Sequence, residues 1–141
     1  MPGAQGISRW LTFRTRTGRH DLEAKLLRLG ERDYVLCIWG GDRPHIGAVG
    51  MALARPSLRD PDVQSSTSSV FTYPGHKEDL LVKDVSERLA AALGGHVVVC
   101  AGAHWENLDA QGIQEVLDNC RRLVSLILKR LGSSPGSRVS P

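Results

Sequence analysis

Aromatic residues are scarce in this chain: three Trp, two Tyr and two Phe, or 5% of 141 residues. The chain is too poor in rings interleaved with basic residues to supply a stacking platform for nucleic acid. No apolar run approaches the ~20 residues of a membrane span, so no membrane partner is expected. The first residues carry no apolar h-region, and no secretory leader is expected. Cysteine is rare and odd in number, at three, and none has metal-type spacing. Cys37 and Cys100 lie in strand-like runs and Cys120 lies on a helical stripe. The expectation is three reduced core thiols in a cytoplasmic protein. Serines abound, but none sits in a Gly-x-Ser-x-Gly elbow, and the cysteines fall at expected core positions. A covalent mechanism therefore finds little support.

What remains is an ordinary globular composition, 41% hydrophobic and 23% charged. The length suits one domain with a real core. That domain is expected over residues 7–131, with flexible ends at 1–6 and 132–141. Net charge is +3. Arg9, Arg14, Arg16 and Arg19 all precede the first acid, Asp21, and form a basic edge that can attract anions.

Periodicity gives the element order. Leu11 to Thr17 alternates and reads as a half-buried strand. Leu22, Ala24 and Leu26 alternate with Glu23 and Lys25 in a second strand. Tyr34 to Trp39 is apolar on both faces and reads as a central strand. Ala48 to Ala54 is a fourth. Arg55 to Ser69, with its Ser/Thr run, reads as a long polar connection, functional or disordered. Val70 to Tyr73 is a short fifth strand. A helix follows from Lys77 or Asp79, with Leu81, Val85, Leu89 and Leu93 on one stripe and Gly94-Gly95 as its stop. Val97, Val98 and Val99 mark a buried strand over His96 to Ala101. Asp109 suits the N-cap of a last helix carrying Ile113, Val116, Leu117, Cys120, Leu123, Val124, Ile127, Leu128 and Leu131.

The predicted fold class is α+β, a two-layer sandwich. It has a mainly antiparallel sheet of about six strands and two helices on one face. The other face is apolar at many positions, so a second copy of the chain is expected to cover it.

Three glycine-flanked histidines stand at element ends: Gly40-Gly41-Asp42-Arg43-Pro44-His45-Ile46-Gly47, Pro74-Gly75-His76-Lys77-Glu78, and Ala101-Gly102-Ala103-His104-Trp105-Glu106. The first loop is richer than a hairpin requires. Glycine permits close backbone approach to a ligand, or a simple structural turn. Gly75-His76-Lys77 at a helix start offers free N–H groups, a positive dipole end and a lysine, which suits a phosphate. It is not a Walker loop. Trp39 and Trp105 adjoin the glycine loops and can stack on a planar ring or simply pack in the core. His45, His76 and His104, with Glu78 and Glu106 two residues beyond the latter two, are the alternative metal set, but no compact signature such as His-Glu-x-x-His is present.

These three stretches, taken with Arg55-Pro56-Ser57-Leu58-Arg59-Asp60-Pro61, resemble the small D-type subunit associated with gallate and other hydroxyaryl-acid decarboxylases, described as a prenylated-flavin chaperone. The resemblance runs over roughly residues 33–130 in the same order. It implies a fold similar to proteasome assembly chaperones and a homodimer. It also implies binding of reduced prenylated FMN as cargo and its delivery to an apo-decarboxylase. That makes the chain an accessory subunit rather than an enzyme. The residues themselves suggest a cofactor site at Gly40, Gly41, His45, Gly47, Gly75, His76, Lys77, Gly102 and His104. Two other readings compete: a small metal-dependent hydrolase or lyase using His45, His76 and His104, and a pure assembly factor whose loops are structural.

Overall fold

A computed structural model describes residues 9–74 and 78–132. The elements are β1 (Trp10–Arg14), β2 (Leu22–Leu29), β3 (Asp33–Gly41), β4 (Ala48–Pro56), β5 (Gln64–Thr72), α1 (Asp79–Leu93), β6 (His96–His104) and α2 (Ala110–Arg130). The strands form a six-stranded sheet in the order β1-β2-β3-β6-β4-β5. All neighbours are antiparallel except β3 and β6. The class is α+β, as the pattern predicted.

Strand side chains alternate between the two faces, and the two faces differ sharply. On one, Leu22, Ala24, Leu26, Leu36, Ile38, Ala52, Val97 and Val99 are buried under the helices. From α1 come Leu81, Val82, Val85, Leu89 and Ala90, and from α2 Leu123, Val124, Ile127 and Leu128. On the other face the register aligns Trp10, Leu27, Val35, Val98 and Met51 in one row across the sheet. A second row runs Lys25, Cys37, Cys100, Val49, Phe71. Met51 is 59% exposed and Phe71 69%.

Three expectations need correction. The Ser/Thr run is not a loop: β5 starts at Gln64 and pairs with β4 through every residue to Thr72. Serine and threonine carry no apolar alternation, yet an edge strand with one wet face does not need one. Ser66 and Ser68 instead reach over to α1, donating to the Glu87 carbonyl at 2.8 Å and carboxylate at 2.7 Å. The real connection is only Ser57 to Val63. Cys37 and Cys100 are not core thiols; they are half-buried neighbours on the open face. Cys120 is buried, and burial, helped by the Asp84 charge, pushes its thiol to about 12. Lastly, Ile113 and Leu117 belong to the apolar pattern of α2 but are exposed. Leu117 lines an open groove with Leu80, Leu81 and Asp84 of α1.

The caps follow local chemistry. Asp109 accepts a hydrogen bond from the Gly112 N–H at 2.7 Å and starts α2. Gly94, at φ 70°, ends α1 in the left-handed region, its N–H reaching the Ala90 carbonyl.

Candidate functional site

Register brings the first and third of the singled-out stretches to one end of the sheet. β3 and β6 run parallel, and Gly41 at the end of one pairs with His104 at the end of the other. Leu22, the first residue of β2, lies opposite Gly40. Ala48, the first of β4, lies opposite Ala101 and Thr72. The β1–β2 turn, the β3–β4 loop, the β5–α1 connection and the β6–α2 loop therefore share this rim with the N-terminal ends of both helices.

Backbone contacts pin the β3–β4 loop at both ends. Asp42 N–H donates to the His104 carbonyl at 2.7 Å, and Gly47 N–H to the Ala101 carbonyl at 2.9 Å. The glycines make this possible. A Cβ on Gly41, which also has φ +82°, would lie 1.9 Å from the His104 carbonyl oxygen. One on Gly102 would lie 1.8 Å from the His45 carbonyl oxygen, and one on Gly47 2.4 Å from the Glu78 carboxylate. Gly40 is enclosed by the Asp21 carbonyl, Leu22 and Trp105. In this conformation the space left by the four missing side chains is taken by the protein's own chain.

His45 is mostly buried. Its Nδ1 lies 2.8 Å from the Arg43 carbonyl and its Nε2 3.2 Å from Glu78 Oε1. The Glu78 side chain is only 12% exposed and also accepts from the Ala103 N–H at 3.5 Å. Glu78 stands at the N-cap of α1, but its side chain makes no cap bond. It turns to the loop and to β6 instead. His104 is exposed at the end of β6. Arg43 and Glu106 lie 3.8 Å apart across the mouth, and Glu106 N–H donates to Asp42 at 3.4 Å. The predicted site residues Gly75, His76 and Lys77 lie outside the described residues. Among the described residues no group of three His, Cys, Asp or Glu side chains is arranged to hold a metal ion.

The two tryptophans part company. Trp105 is 7% exposed, donates to the Arg19 carbonyl at 3.1 Å and meets His20 edge-on at 5.5 Å. It is a core residue. Trp39 is half-buried on the open face, beside Gly102 in the register. Of the two rings, Trp39 is the one a ligand can reach.

Sequence reasoning missed Glu78 as a site residue. The sequence marks it only as a carboxylate of the alternative metal set, outside the cofactor site. The available signal was its place two residues after His76, in a stretch already chosen for its glycine and histidine.

Next to this rim the β1–β2 turn is firmly built. Asp21 Oδ1 accepts from Thr15 Oγ1 at 2.7 Å and from the Thr17 N–H at 2.6 Å. Burial raises the Asp21 carboxyl, but these bonds outweigh it and hold the group below its ordinary value of 3.8. Buried Asn119 donates to the His20 carbonyl at 2.6 Å and accepts from Thr17 Oγ1 at 2.8 Å.

Two layers with this topology define the class of the protein: a two-layer α+β domain with a six-stranded sheet. The chain is similar to a chain of the chaperone complex for yeast 20S proteasome assembly, with a TM-score of 0.54 and 11% identity, over 89% of this chain and 98% of that one. At that identity the likeness is one of fold. The family is narrower. Residues 16–132 match the model of the prenylated flavin chaperone LpdD-like domain, and the chain belongs to that family. No curated protein matches it.

Proposed function

We propose that this protein is a non-catalytic chaperone that binds reduced prenylated FMN and delivers it to a hydroxyaryl-acid decarboxylase. The family match over residues 16–132 carries this reading. The rim supports it by chemistry. The first turn of α1 has backbone N–H groups that the Glu78 side chain does not cap, and a helix N-terminus favours a phosphate. Lys77, one residue earlier, would add a point charge. Trp39 offers a ring face for the isoalloxazine, and exposed His104 a hydrogen bond to ring or ribityl oxygens. The flavin supplies the redox and decarboxylation chemistry once it reaches the client; this chain's part is to hold and shield it.

A second copy of the chain covers the open face in this reading. Trp10, Leu29, Met51, Leu53 and Phe71, each between 45% and 69% exposed, form too broad an apolar surface for a solitary soluble domain.

The test is anaerobic titration of the purified protein with chemically reduced FMN and its prenylated form, followed by reconstitution of an apo-decarboxylase. Tight binding of the prenylated form and faster recovery of decarboxylase activity are expected. Lys77→Ala should cost about 1.5–3 kcal/mol of binding, the scale of a hydrogen bond to a charged group. Absence of binding together with unchanged reconstitution overturns the proposal.

A further inference from the structure

The rim contains a feature that the flavin reading does not explain, a mostly buried carboxylate set against a histidine. His45 Nδ1 lies 2.8 Å from the Arg43 carbonyl oxygen, and its Nε2 lies 3.2 Å from Glu78 Oε1, within ion-pair distance. Both ring nitrogens thus lie close to oxygen atoms of this chain. The surroundings are shaped for the pair. Gly47 leaves room for the carboxylate and Gly102 leaves room for the His45 backbone. Ala103 N–H supplies a further contact to Glu78 Oε1. Three segments distant in sequence thus meet at one carboxylate: the β3–β4 loop, the start of α1 and the end of β6.

We propose that His45 and Glu78 form a clasp that fixes the β3–β4 loop against the start of α1, so that His45 is a positioning residue and His104 makes the ligand contact at this rim. A burial cost opposes seating a carboxylate here. Its partners offset that cost only if all are in place, which makes the clasp a two-sided device. Removing either member should release the loop to the same extent. The ligand half of this proposal rests on the flavin reading; the clasp itself does not.

A double-mutant cycle on the full chain separates the two. In thermal unfolding without ligand, His45→Ala and Glu78→Ala should each lower the midpoint, and the double variant should fall little further. Glu78→Gln, which keeps an oxygen acceptor for His45, should recover much of the loss. Additive shifts overturn the clasp. In anaerobic titration with reduced FMN, the two single variants should weaken binding equally, within about twofold, the scatter of such cycles. His104→Ala should weaken binding with little change in unfolding midpoint. A far larger binding loss for His45→Ala than for Glu78→Ala would make His45 a ligand contact and overturn its positioning role. If the variants fold poorly, the wild-type ring still decides. Its 15N resonances should stay in place when flavin is added. Resonances that shift as a ligand bond forms would end the proposal. Should the wild-type protein take up no flavin, the functional reading fails, while the unfolding cycle continues to test the clasp.

Discussion

The two faces of the sheet are made by the same strands and differ only in which alternate residues point to each. Under the helices, Leu36, Leu89, Val99 and Ile127 have no exposure or almost none. On the open side, Met51, Leu53 and Phe71 are nearly as apolar and stand in solvent. Hydrophobic character is thus shared by both faces, and burial is decided by the supply of helices. Two helices cover one face. The other stays exposed among the described residues.

The comparison breaks hardest in the core. Leu89→Ala should destabilise the fold by about 2–5 kcal/mol, the usual range for truncating a buried leucine, read as a fall in the chemical-denaturation midpoint. The matching change on the open face, Met51→Ala, should cost under about 0.5 kcal/mol of monomer stability. Equal losses would mean that the open face is already covered within one chain.

Charge is the next probe. Met51→Glu and Phe71→Glu should dissociate the proposed dimer, shifting the sedimentation coefficient to that of a monomer while the circular dichroism spectrum holds. A wild-type protein that sediments as a monomer at micromolar concentration would remove the dimer from the reading.

Within one strand the contrast is finer. Ser66 on β5 donates to the Glu87 carbonyl of α1, whereas Ser69 points to the open face. Ser66→Ala should cost about 1 kcal/mol, the net worth of one hydrogen bond, and Ser69→Ala almost nothing. Thermal melts of the two variants would measure the difference.

The smallest effect is one of pH. Burial raises the Glu87 carboxyl, but its bonds to Lys83 and Ser68 and the charges of Lys83 and Arg55 outweigh that and hold it below the ordinary 4.5. A carboxyl depressed by folding contributes stability that is full above its unfolded value and is lost as pH falls through its folded value. The unfolding midpoint should therefore drop below pH 4.5, and less so in Ser68→Ala, where one depressing bond is gone. Because Glu87 is partly exposed, added salt should shrink the difference.

Much of this architecture was legible in the residues. Alternation at Leu22, Ala24 and Leu26, four-residue spacing at Leu81, Val85 and Leu89, Asp109 before the last helix and Gly94 after the first each name a local structure. Each acts within a few residues, which is why the chain alone determined element order, caps and the α+β class. The Ser/Thr strand escaped because an edge strand draws its stability from backbone pairing with β4 and from α1, neither of which is local. The three glycine-histidine stretches could be singled out in the sequence. The meeting of the first and third depended on β3 and β6 running parallel, which brings Gly41 beside His104. That His45 faces Glu78 at 3.2 Å rather than solvent, and that Trp105 is core while Trp39 is not, were decided by packing. Composition assigns a side chain its chemistry. Only the tertiary structure, by placing distant backbone against it, decides whether that chemistry is spent inside the protein or left for a ligand.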